Sequence, residues 1–225
     1  MTVLSYVDFY DRNYDSDSSS RVVNIYRRQF PGLYLAADRR EIGTADGRPM
    51  VLGGDTLITY RSAIKKIYGR YFGELNASIR KDILSALELY SFTSCKYIQF
   101  FDGVNIINNH QIGNMMPFPS SIPSMNTLRA SMYYDYFDRF LDEVKNYYCN
   151  SSDYLPASKL QEAICYQRAY FDFFRTYDQY IEGNFLQDFV GKDLWAIADF
   201  REYLQVANDI IDSRSKRFTV AHTTL

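Results

Sequence analysis

A mainly α or α+β fold, an irregular helical bundle carrying a small N-terminal β-hairpin, is predicted by three features of this 225-residue sequence. Apolar residues recur at steps of three and four through most of the C-terminal third, the spacing of one buried helix face. Asp46-Gly47 stands between short apolar stretches, and this dipeptide tolerates the positive φ that a two-residue hairpin turn demands. No Gly/Ser-rich or Pro-rich linker interrupts the chain, so residues 1–225 are read as a single domain.

Composition bounds the function classes. A hydrophobic fraction of 47%, with 17% aromatic residues, is ample for a packed core and excludes disorder over most of the chain. The 21 Tyr and 16 Phe dominate it, and because tyrosine buries a ring while its hydroxyl seeks a polar partner, many rings are expected to straddle core and surface. With 25 basic and 27 acidic residues the net charge is -2, so no global positive field draws the chain to nucleic acid or membranes. Cys95, Cys149 and Cys165 lack Cys-x-x-Cys spacing and are read as free thiols in a reducing, cytoplasmic setting. No run reaches the ~18 apolar residues of a membrane helix, and the N-terminal stretch has no basic region, so neither a membrane span nor a secretory signal is expected.

The elements follow in order. Asp8, Asp11, Asp15, Asp17 and three serines make the opening segment an exposed turn. It is not a calcium loop: Ser20 stands where glycine is required and Tyr26 where a bidentate Glu is required. The hairpin is placed between Leu33 and Leu52. Gly53-Gly54-Asp55 then starts a helix, capped by Asp55 or Thr56, with Leu57, Ile58, Ile64, Ile67, Tyr68 and Tyr71 on one face. A second helix runs from Asn76 to about Tyr90, and an aromatic strand over Ser91–Phe101 is an option. Residues 102–126 read as a long loop, because Gly103, Gly113, Pro117, Pro119 and Pro123 break helices. Three further helices are expected: Leu128 to Cys149, carrying an aromatic stripe; Pro156 to Ile181; and Leu194 to Ile211. After these, Ser213 to Arg217 begin a polar, frayed tail.

The long loop holds the candidate chemistry. His110 is one of two histidines, and an imidazole titrating near ~6.5 is suited to general-base work. Arg129 offers a guanidinium fork that fits phosphate or carboxylate. Asn114 and Asn126 are candidate binding residues, as are Asp135 and Asp138, three apart on one helix. Each also has a structural reading: the histidine and asparagines satisfy the loop backbone, Arg129 pairs with Asp135, and the carboxylates are solvated. Lys65, Lys66, Arg70, Arg80 and Lys81, interleaved with Tyr68 and Tyr71, suggest either a single-strand contact or an ordinary charged face diluted by Glu74 and Asp82. No phosphate-binding glycine loop, nucleophile elbow or metal-ligand cluster is recognisable, so no cofactor and no metal are assigned.

Several separated motifs resemble, in order, those of an uncharacterised family of bacterial proteins. They are His110-x-Ile112-Gly113-Asn114, Phe118-Pro119, Asn126-x-x-Arg129, Asp135-x-Phe137-Asp138 and Tyr147-Tyr148, then Tyr170 to Phe174 and Asn184 to Val190, with Gly54-Asp55 as a further point. The resemblance spans the C-terminal half and implies no activity. In that family Asn-x-x-Arg continues into Gly, whereas here Ala130-Ser131 follow, which weakens any close backbone approach at that point. His-x-Ile-Gly-Asn also resembles a fragment of HNH-type nucleases, but such a site needs further ligands upstream, where only Asp102 stands, and His222 is remote in sequence.

Two functions are therefore carried forward. One is an intracellular binding or regulatory protein, of the kind phages and mobile elements encode, presenting a tyrosine-rich surface to a protein partner. The other is a nucleotide- or nucleic-acid-processing enzyme centred on His110, Asn114, Asn126 and Arg129. No membrane partner is expected.

Overall fold

In the computed structural model, which describes residues 20–58, 111–119, 136–150 and 156–223, the chain is mainly helical with one small antiparallel pair of strands. Helix α1 (Ser20–Gln29) is followed at once by α2 (Pro31–Asp38), whose first position is a proline already held at helical φ. The chain then turns through Asp46-Gly47, where Gly47 adopts φ +81° and Gly43 bridges Pro49. The expected hairpin thus narrows to this turn, because residues 31–38 coil into α2 rather than extending. The turn is tied down by the Ala45 N–H, which donates to the Tyr166 carbonyl at 2.8 Å, and by the Tyr166 hydroxyl on Asp46 Oδ1 at 2.8 Å.

Strand β1 (Leu52–Thr56) pairs antiparallel with β2 (Met115–Pro119), in the register Leu52 to Pro119 and Thr56 to Met115. Two sequence expectations are corrected here. Gly53, Gly54 and Asp55 lie inside a strand and do not start a helix, and the glycines face Pro117 and Phe118, leaving those bulky residues room. Part of the long loop is ordered as a 3-10 turn, Ile112–Asn114, leading into β2, every residue of which is buried. Its two prolines fit a short strand with a single described neighbour, where the missing N–H groups break no central ladder. The remainder of the predicted helices over 57–71 and 76–90, and the strand at 91–101, lie outside the described residues.

Helix α3 (Phe137–Cys149) buries Phe137, Phe140, Leu141, Val144 and Tyr147, the stripe its spacing predicts. The single helix expected from Pro156 to Ile181 is instead three: α4 (Lys159–Tyr166), α5 (Arg168–Asp172) and α6 (Tyr177–Gly183). Local caps open α4 and α6, while the break at Gln167 has no side-chain cap. Ser158 Oγ accepts from the Gln161 N–H and Thr176 Oγ1 from the Gln179 N–H, each at 3.2 Å, while Arg175 takes φ +62°. After a second 3-10 turn, Gln187–Phe189, the last helix α7 runs Phe200–Thr223, with the Asp199 carboxylate accepting the Glu202 N–H at 2.9 Å at its start. It continues twelve residues past its expected end at Ile211, straight through the supposed frayed tail.

The buried side chains of all these segments form one cluster. Phe118 of β2 sits at its centre, 6.3 Å from Phe137, 5.8 Å from Phe140 and 6.5 Å from Tyr170 between ring centroids. The edge-to-face arrangements that dominate around it suit the aromatic quadrupole. None of the described helices is long and apolar enough to cross a membrane.

Candidate functional site

Where α7 meets the Ile112–Asn114 turn, backbone lies almost on backbone. A Cβ on Gly113 would stand 2.8 Å from the Ser215 N and closer still to the Ile211 carbonyl and Ser215 Oγ, so only glycine fits. The Gly113 N–H donates to Ser215 Oγ at 3.0 Å. Arg214, fully buried, spreads its fork over the same turn: Nη1 donates to the Gly113 carbonyl at 2.7 Å and the Met115 carbonyl at 2.6 Å, and Nε to the Asn184 carbonyl at 2.9 Å. Its guanidinium carbon stands 5.0 Å from the Phe218 ring centroid, and Nη2 reaches the Tyr26 hydroxyl at 3.4 Å. That hydroxyl donates to the Met115 carbonyl, and burial pushes its pKa up, with Arg214 partly offsetting the rise. Among the described residues no carboxylate pairs with Arg214. Carbonyl dipoles and an aromatic face compensate the charge instead.

Asn114 lies in this turn, with no exposed surface. Its amide is committed to backbone: Oδ1 accepts the Ile58 N–H at 3.0 Å and Nδ2 donates to the Ile58 carbonyl at 2.9 Å, clamping the end of β1 to the start of β2. Asp138 is also buried, in the first turn of α3, where Oδ2 accepts the Leu194 N–H at 2.9 Å. Burial pushes its carboxyl up to about 6, against the pull of that N–H, the amides of its own first turn and the neighbouring Arg139 charge. Arg139 itself reaches Asp193 at 3.3 Å, so both residues fasten the 193–194 segment to α3. His110, Asn126, Arg129 and Asp135 lie outside the described residues, as does the basic patch around Lys65 to Lys81.

The described tyrosines lie mostly inward. Tyr26, Tyr34, Tyr136, Tyr147, Tyr170, Tyr180 and Tyr203 are buried, and the other described tyrosines, Tyr148, Tyr166 and Tyr177, are half-buried. They line the core, and hydroxyls such as Tyr170's, 2.7 Å from the Pro117 carbonyl, satisfy it from within.

An open cavity of about 470 Å³ lies on the other side of the sheet's entry, between α2 and residues 49–52. Arg27 and Asp38 form a two-pronged ion pair in its wall, Nη2 to Oδ1 at 3.1 Å with Nη1 on Oδ2, and the Arg27 guanidinium stands 5.1 Å from the Tyr34 ring centroid. This pair holds the Asp38 carboxyl below its usual range. Arg40, also in the wall, has φ +59°. It closes α2: the Arg40 N–H donates to the Ala37 carbonyl at 3.0 Å and the Glu41 N–H to the Ala36 carbonyl at 2.8 Å. Glycine ordinarily occupies this left-handed closing position, and a side chain there costs roughly 1 kcal/mol.

A sequence profile for a family of unknown function (DUF6994) matches residues 104–218, just over half of the chain. The chain belongs to this family. No curated protein and no solved structure matches it. The family's span takes in the Ile112–Asn114 turn, β2 and helices α3 to α6, and ends at Phe218, so it holds Arg214 and the surface it grips. The cavity beside α2 lies N-terminal to it. Sequence reasoning passed over both Arg214 and Arg40. A signal for Arg214 was present, since Ala207, Ile211, Arg214 and Phe218 step by four, three and four along one helix face. Arg40 carries none, because its left-handed backbone is visible only in three dimensions.

Proposed function

We propose that this is an intracellular binding or regulatory protein that acts without turning over a substrate. The observation that carries the reading is the inward commitment of the segment directly following His110. Gly113 is sealed under α7, the carbonyls of Gly113 and Met115 are held by Arg214, and both ends of the Asn114 amide are occupied by Ile58. Catalytic polar groups need a substrate-accessible face, and the Asn114 amide, buried and held by backbone at both ends, has none. The described thiols, Cys149 and Cys165, are free, in keeping with a reducing compartment. The described tyrosines are turned inward or half-buried, so among the described residues the open cavity beside α2 is the surface offered to a partner.

The test compares wild type with His110→Ala and Arg129→Ala by thermal shift, across nucleotides and divalent metals, together with a turnover assay on nucleotides and single-stranded nucleic acid. Loss of melting temperature in both variants, with no nucleotide turnover, supports the binding reading. Turnover by wild type that His110→Ala abolishes at unchanged melting temperature would replace it with the enzyme centred on His110 and Arg129.

A further inference from the structure

We infer that the cavity between α2 and residues 49–52 binds a small organic anion, one acidic head group on an apolar body, with Arg40 as the residue that recognises the head. The inference rests on the binding reading and gives it a ligand class. At about 470 Å³ the cavity lies within the range of small-molecule sites. Its charged lining is unequal. Arg27 is already matched by Asp38 through two contacts and covered on one face by Tyr34, so it contributes shape and little free charge. Arg40 is matched by nothing: among the described residues, its neighbours' ion pairs are Arg39 with Glu41 and Arg48 with Asp46, and none engages Arg40. Arg40, an exposed residue lining the cavity, therefore brings a guanidinium with no described counter-charge, a planar fork suited to carboxylate or phosphate.

The apolar part has its own surface. Met50 and Tyr34 are buried in the wall, Leu52 is half-buried, and Val51 is 61% exposed although aliphatic, at the cavity's edge. A ligand body laid over Val51 and Leu52 removes that area from water. The backbone adds an independent argument. Arg40 is one of three described non-glycine residues in the left-handed region, with Arg175 and Phe185, and of these it alone lines the cavity, where backbone strain can accompany a functional side chain.

The experiment is titration calorimetry on the full chain with adenosine 5′-monophosphate and with benzoate as separate arms, each beside its neutral counterpart, adenosine or benzyl alcohol, and with inorganic phosphate alone. Binding of at least one anion, at least tenfold tighter than its neutral counterpart and than phosphate, is expected; which arm binds tells phosphate ester from carboxylate. In Arg40→Gly that binding weakens at least tenfold while the melting temperature holds or rises by a few degrees. The proposal is overturned if neither anion binds in the millimolar range, if Arg40→Gly binds as wild type does, or if Arg40→Gly melts lower. Silence from every probe leaves a protein-partner function standing while removing the cavity. Binding lost in His110→Ala but kept in Arg40→Gly relocates the site and overturns the proposal, while the binding reading falls only to turnover.

Discussion

Asp138 shows how one buried group sets a pH dependence. Its carboxyl sits near 6 in the fold against 3.8 as the ordinary value, because burial disfavours the charge. The folded state therefore holds the proton more tightly than the unfolded chain, and the stabilisation is complete below about pH 4 and lost as pH rises through 6. The difference is of order 3 kcal/mol at most. Asp138→Asn keeps an oxygen for the Leu194 N–H and removes the charge, so the variant should be more stable than wild type at pH 7 and nearly equal to it at pH 4. Urea melts at the two pH values check this. Asp38 and Asp46 have lowered pKa values and act in the opposite direction, but they are common to both proteins and cancel in the comparison. Arg27→Ala removes a solvent-exposed ion pair and should change stability by less than about 1 kcal/mol, measured in the same melts.

At the scale of elements, α7 and the Ile112–Asn114 turn approach so closely that a Cβ on Gly113 would overlap backbone. Gly113→Ala should cost about 3 kcal/mol or more, because the obstructing atoms are backbone and cannot rotate away. A drop in the denaturant midpoint with unchanged slope is the expected signature. Helices α4 to α6 illustrate a weaker kind of control. Their apolar residues have helical spacing throughout, yet Thr176 and Arg175 break the run, since a hydroxyl that accepts the Gln179 N–H makes starting afresh more favourable than continuing. Thr176→Ala should cost about 1 kcal/mol through loss of that cap, read from thermal or urea melts.

For the whole molecule, Arg214 is the point where distant chain segments meet: Tyr26 of α1, the Gly113 turn, the start of β2 and Asn184 after α6 all converge on it from α7. Lysine carries the same charge but cannot reach three carbonyls with a fixed fork, and the orphaned acceptors would be buried. Arg214→Lys should destabilise by about 3 kcal/mol. A chain ended at Asp212 loses Arg214, Ser215 and Phe218 together and should fail to show a cooperative melt by circular dichroism. That outcome separates a core helix from a dispensable polar tail.

The sequence by itself determined the helical class, the buried stripe of α3 and the turn at Asp46-Gly47, because periodicity and turn chemistry are local and act over a few residues. The motifs from His110 to Val190 that resemble an uncharacterised family fall within the residues 104–218 that the family profile matches. Tertiary structure alone decided the rest. The strand pair joins residue 52 to residue 119, and no local pattern encodes a partner so far along the chain. Ser213 to Arg217 are polar and read as solvent-facing, yet Arg214 and Ser215 are buried because the backbone of a remote turn supplies acceptors that water would otherwise provide. The cavity beside α2 likewise depends on a helix end and a strand start brought together by folding, and on the left-handed backbone of Arg40, a conformation that only the assembled structure imposes.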